Sequence, residues 1–93
     1  TRENIAEITK RMLSSLSDRV AGMEMGIDFT EKAVELVAKA GFDPVYGARP
    51  LRRAIQSRIE DPLSEKLLEG EFKAGDKIIC DAEDDKITFK KAE

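Results

Sequence analysis

Gly75-Asp76-Lys77-Ile78-Ile79-Cys80-Asp81-Ala82-Glu83-Asp84-Asp85-Lys86-Ile87-Thr88-Phe89-Lys90 is the stretch that decides the fold class. Its apolar residues recur with a period of two, which is strand spacing. Ile78, Cys80 and Ala82 share one face of the first strand. After a turn at Glu83-Asp84-Asp85, Ile87 and Phe89 point inward, while Lys86, Thr88 and Lys90 point out. The pattern predicts a β-hairpin. A lone hairpin is barely stable in water, so a further strand is needed. Gly26-Ile27-Asp28-Phe29, short and alternating, is the candidate.

Upstream of Gly70 the period is helical. Ile5, Ile8, Met12, Leu16 and Val20 recur at three- and four-residue spacing, with Leu13 and Met23 flanking the stripe. Asn4 or Thr1 is the expected cap of this first helix, and Gly22 and Gly26 bracket its exit. Thr30 is a good N-cap for a second helix, with Phe29 and Val34 placed as a hydrophobic staple. Ala33, Val34, Val37 and Ala38 give that helix its buried side, and Gly41 is expected to end it in the left-handed conformation. A loop follows over Phe42-Asp43-Pro44-Val45-Tyr46-Gly47. A third helix is predicted to begin around Ala48-Arg49-Pro50, with Leu51, Ala54, Ile55 and Ile59 on its apolar face. Pro62 is expected to end or kink it, and a fourth helix carries Leu63, Leu67 and Leu68. The expected class is α+β. A bundle of about four helices carries a small three-stranded, mainly antiparallel sheet, formed by the C-terminal hairpin and the short strand after the first helix.

Composition sets the outer bounds. The chain has 93 residues, with 16 Lys+Arg against 19 Asp+Glu and a net charge of −3, which fits one domain. At 41% hydrophobic and 38% charged it suits neither a disordered tail nor a membrane span. The start, Thr1-Arg2-Glu3-Asn4, has neither Met nor an apolar leader, so an excised piece of a longer chain is expected. There is no His or Trp, and Cys80 is the single cysteine. Those counts exclude an internal disulfide, Cys/His zinc sites, and Ser-His or Cys-His catalytic pairs. Aromatics at 5% are too thin for a base-stacking surface. A binding or regulatory module fits better than an independent enzyme.

One segment departs from the acidic average. Gly47 to Arg58 holds no acid and four arginines, Arg49, Arg52, Arg53 and Arg58. Arg49 stands where a Gly-containing loop meets a predicted helix N-terminus, a place suited to an anion such as phosphate. On the residues alone, pairing of Arg49 with a nearby acid and a solvated face of the other three is the plainer reading.

Tyr46-Gly47-Ala48-Arg49-Pro50-Leu51-Arg52-Arg53-Ala54-Ile55-Gln56 closely resembles the sensor-2 region of Clp-family AAA+ protein unfoldases. Gly41-Phe42-Asp43-Pro44-Val45 before it is similar to the same family. So are Ile59-Glu60-Asp61-Pro62-Leu63-Ser64-Glu65 and Gly75-Asp76-Lys77-Ile78 after it. The ordered series covers more than half the chain. It resembles the C-terminal small (lid) subdomain of the second ATPase module, with residues 1–93 as that subdomain. The Ile59–Glu65 run leans toward the ClpC type, and the ClpB disaggregase is the rival.

The resemblance implies roles. Arg49 matches the sensor-2 arginine, which reaches the γ-phosphate of ATP bound on the large subdomain of the same chain. Ala48 corresponds to a position near the adenine and ribose. Ile8 matches an apolar adenine contact by helix pattern and not by motif, and plain core packing is the favoured reading for it. ATP with Mg would be held mainly by the absent large subdomain. The implied partners are that subdomain, neighbouring subunits of a hexamer, unfolding substrates and a ClpP-type protease, in the cytoplasm. No membrane is implied, and the acidic total counts against nucleic acid. The chain has no phosphate loop or Walker B pair, so ATP hydrolysis by this segment alone is not expected. Cys80 is expected to be buried and inert, and Asp84-Asp85 to be a turn and not a metal site. The rival from another class is a free-standing interaction domain whose arginine helix binds an acidic partner or nucleic acid.

Overall fold

The computed structural model describes residues 2–92, with side chains from residue 4 onward. The elements run α1 (Arg2–Ala21), β1 (Gly26–Phe29), α2 (Glu31–Ala40), α3 (Leu51–Ile55), a π-helical segment (Gln56–Glu60), α4 (Asp61–Leu68), β2 (Lys77–Glu83) and β3 (Lys86–Lys91). The class is α+β, as the two periods predict. The sheet order is β1-β2-β3. The hairpin pairs antiparallel, with Cys80 opposite Phe89 and Ala82 opposite Ile87. β1 joins β2 in parallel, with Ile27 opposite Ile78 and Phe29 opposite Cys80. The sheet is therefore mixed. A parallel pair needs a long crossover, and α2 to α4 supply it.

One sheet face and the helices enclose the core. Leu13, Leu16 and Val20 of α1 meet Val34 and Val37 of α2, Leu51 and Ile55 of α3, Ile59 of the π segment, Leu63 of α4, and Ile27, Ile78 and Cys80 of the sheet. Met25 and Phe72, both outside regular elements, complete it. Thr30 caps α2 as expected, its Oγ1 accepting the Ala33 N–H at 3.2 Å. The same hydroxyl donates to Asp81 Oδ1 at 2.6 Å, which ties the start of α2 to the middle strand.

Several local expectations change. Asn4 lies inside α1 and does not cap it, while Thr1 lies outside the described residues. Gly41 has φ −95°, so it is not left-handed. Its role is close approach, because a Cβ there would meet Leu51 Cα and Cδ1, each at 2.7 Å. The third helix begins at Leu51, with Pro50 at its N-cap. Leu68 is 89% exposed and leaves the expected stripe.

Pro62 does not break the helical run, so the third and fourth helices form one rod and the helical bodies number three among the described residues. The reason is the π segment. Asp61 N–H reaches back five residues to the Gln56 carbonyl, one residue further than an α-helix allows. Pro62 then sits in the first turn of α4, where its missing N–H costs little. The wider turn also serves packing. Leu51, Ile55, Ile59, Leu63 and Leu67 are spaced by four. On an ideal α-helix each step of four overshoots a turn by about 40°, and the stripe would wind away from the core. The π turn absorbs part of that drift.

Asp84 and Asp85 form the two-residue hairpin loop, with φ of 51° and 61°. Two positive φ values in succession define the turn that favours Asn-Gly. Replacing Asp84-Asp85 by Asn-Gly is expected to stabilise the chain by about 0.5–1 kcal/mol, seen as a higher urea midpoint. An unchanged or lower midpoint would mean that the turn is not limiting.

Candidate functional site

The segment from Phe42 to Pro50 is a built loop. Asp43 and Gly47 exchange paired backbone hydrogen bonds, Asp43 N–H to Gly47 C=O at 2.8 Å and Gly47 N–H to Asp43 C=O at 2.7 Å. Asp43 Oδ1 also accepts the N–H groups of Val45 and Tyr46, at 2.7 and 3.0 Å. Gly47 turns the chain with φ 64°, a conformation that glycine adopts without strain. Arg49 N–H then bonds Tyr46 C=O at 3.2 Å, and Leu51 N–H bonds Ala48 C=O at 3.0 Å. Both amides are thereby used within the turn. The anion-attracting group at this corner is thus the side chain of Arg49 more than the short helix α3.

Arg49 is exposed, with its Cζ 5.8 Å from the Tyr46 ring centroid. Among the described residues neither it nor Arg52, Arg53 or Arg58 forms an ion pair. The acid partner expected on the plainer reading is therefore not found. The helical arginines 52, 53 and 58 are exposed, which adds to a positive surface. Ala48 is half-buried beside Arg49 on the same turn. Ile8 lies on a separate element, α1, and is 39% exposed, so core packing does not account for it. Phe42, Val45 and Tyr46 are exposed apolar residues on the Arg49 loop. Sequence periodicity has no rule for them, since none lies in a regular element.

Residues 1–80 match the family model described as the C-terminal, D2-small domain of ClpB protein. The chain belongs to that family. Over 85 residues, 91% of the chain, it is 48% identical to the chaperone protein ClpC3, chloroplastic, of Oryza sativa subsp. japonica, of which the match covers 9%. It is 40% identical over 90 residues, 97% of the chain, to the chaperone protein ClpB of Gloeobacter violaceus, of which the match covers 10%. The chaperone protein ClpD, chloroplastic, of Arabidopsis thaliana is 45% identical over 75 residues, 81% of this chain and 8% of the relative. This D2-small chain thus spans about a tenth of the length of these relatives. ClpB and ClpC names occur side by side among them.

The remaining reactive groups of the D2-small chain have structural roles. Cys80 is fully buried, and its thiol is pushed up to about 12 by burial first and the Asp81 charge second. It is a thiol at neutral pH, and inert. Among the described residues no group of His, Cys, Asp or Glu is placed to hold a metal. No described helix is long and apolar enough to cross a membrane. Arg19 of α1 pairs with Glu60 of the π segment, a link the sequence did not suggest.

Two carboxylates titrate low. Asp81 is held below the ordinary 3.8, chiefly by the Thr30 hydroxyl and then by the Ala82 N–H. Asp76 is lowered mainly by the Lys73 N–H at 2.8 Å. A depressed folded pKa gives stability that is complete above the unfolded value and is lost as pH falls through the folded one. The urea midpoint is therefore expected to be flat above about pH 5 and to drop toward pH 2. Asp81→Asn should flatten that acid limb. Equal acid slopes in the two proteins would remove Asp81 from the explanation.

Proposed function

We propose that this D2-small chain is the lid subdomain of an ATP-driven protein unfoldase, and that Arg49 is its sensor-2 arginine. The observation that carries the proposal is an exposed guanidinium, without an acid partner among the described residues, on a braced loop. Its permanent charge and planar fork of donors suit phosphate oxygens. ATP with Mg would be held mainly by the large subdomain, and would supply the energy of phosphoryl transfer to water. This chain's part is to present a positive charge that a triphosphate matches better than a diphosphate. Loss of the γ-phosphate weakens the link between subdomains, so the lid turns and ring geometry follows. Ala48, half-buried next to Arg49, lines the nucleotide side, and the exposed Ile8 offers an apolar surface for the adenine.

The parent is proposed to act as a hexamer in the cytoplasm, unfolding proteins and passing them to a ClpP-type protease. The Ile59–Glu65 run and the 48% identity to the rice ClpC3 favour the ClpC type over a ClpB disaggregase. Arg49→Ala in the full-length parent tests the assignment by ATP-driven unfolding of a tagged substrate. Coupled unfolding should fall while the D2-small domain stays folded, and normal unfolding would refute the role. The exposed arginines 52, 53 and 58 keep an interaction module as the second reading. Steeply salt-dependent binding of the chain to RNA or DNA would favour it.

A further inference from the structure

An arginine side chain has several rotatable bonds, and fixing it on an anion costs rotamer entropy. Arg49 is already partly ordered. Its guanidinium carbon lies over the Tyr46 ring, 5.8 Å from the centroid. A cation–π contact is electrostatic and uses no carboxylate, so the guanidinium's fork of N–H donors remains for an anion. The backbone that carries the ring is held on both sides. Asp43 Oδ1 accepts the Tyr46 N–H at 3.0 Å, and Tyr46 C=O accepts the Arg49 N–H at 3.2 Å. Tyr46 is 61% exposed, so its ring adds little to the core.

We infer that Tyr46 is a positioning residue for Arg49, its ring pre-setting the guanidinium for a triphosphate, on a turn that Asp43 braces. The inference rests on the assignment of Arg49 to the γ-phosphate. It goes further in saying that the charge is aimed before the nucleotide arrives, and by which group. The chemistry implied is a cation held near an aromatic ring, with its N–H donors meeting phosphate oxygens.

The test is equilibrium binding of a non-hydrolysable ATP analogue and of ADP to the full-length parent. Tyr46→Leu is expected to weaken analogue binding by about two- to fivefold, the range of an exposed cation–π contact, with ADP binding unchanged. Tyr46→Phe, which keeps the ring, should bind as the unaltered protein does. In an Arg49→Ala background Tyr46→Leu should have no further effect. A second readout needs no nucleotide. In the 93-residue chain the Arg49 Hε resonance should move on Tyr46→Leu, which removes the ring and its ring current, and hold on Tyr46→Phe, which keeps them. Unchanged analogue affinity in Tyr46→Leu, alongside weakened affinity in Arg49→Ala, overturns the positioning role and spares the Arg49 assignment. An equal loss from Tyr46→Leu with and without Arg49 also overturns it. Unchanged affinity in Arg49→Ala itself overturns the assignment on which it rests.

Discussion

Arg49→Ala in the full-length parent is expected to lower kcat/KM for ATP by about ten- to a hundredfold. That range corresponds to losing hydrogen bonds from a charged donor, about 1.5–3 kcal/mol. The same change should barely touch folding. The side chain is exposed, and among the described residues it pairs with no carboxylate, so the fold loses little beyond the Tyr46 contact. Exposed substitutions of this kind fall within about 0.5 kcal/mol. A large kinetic loss with a preserved Tm is the signature of a residue that works on a ligand. Arg49→Lys should fall between, since it keeps the charge and loses the planar fork. A matching collapse of Tm would instead make Arg49 a structural residue.

Gly41→Ala should do the reverse, damaging the fold first. At φ −95° the backbone suits alanine, and replacing a glycine at such a site commonly stabilises by about 0.4–1 kcal/mol. Here space decides the sign. The new methyl would lie 2.7 Å from Leu51 Cα and 2.7 Å from its Cδ1. The first of these is backbone and cannot swing aside, so α2 and α3 must separate. Overpacking of this kind costs about 1–3 kcal/mol, a sizeable share of the roughly 5–15 kcal/mol that holds a domain together. Tm should drop by about 5–20 °C. Leu51 follows Pro50 directly, so the strain also reaches the turn that presents Arg49. A Tm equal to or above that of the unaltered chain would contradict this packing.

The strands and the Thr30 cap are legible because each leaves a local chemical mark. Period-two alternation placed the hairpin, and Thr30 before an apolar helix face placed α2. Gly41 departs from the expected left-handed cap because a glycine needed for positive φ and one needed for close approach look the same in a sequence. The π segment also leaves a signal in the sequence. Spacing of four from Leu51 to Leu67, with Pro62 inside the run, is a pattern that an ideal α-helix cannot keep on one side. Phe72 and Met25 are buried from irregular segments, where no period exists to mark them. Ile8 falls on the apolar stripe of α1, yet tertiary packing leaves it open. At the candidate site, the four arginines of the acid-free Gly47–Arg58 segment are legible in the sequence. The approach of Arg49 to the Tyr46 ring is not, because it depends on a turn that only the Asp43 and Gly47 bonds define.

The most direct test of Arg49 as reader of the γ-phosphate is the affinity ratio for a non-hydrolysable ATP analogue over ADP, measured on the full-length parent with and without Arg49→Ala. The sensor-2 assignment predicts that the analogue loses about tenfold or more in affinity while ADP stays within about twofold, so the ratio collapses. An equal loss for both nucleotides, or no loss for either, would contradict it.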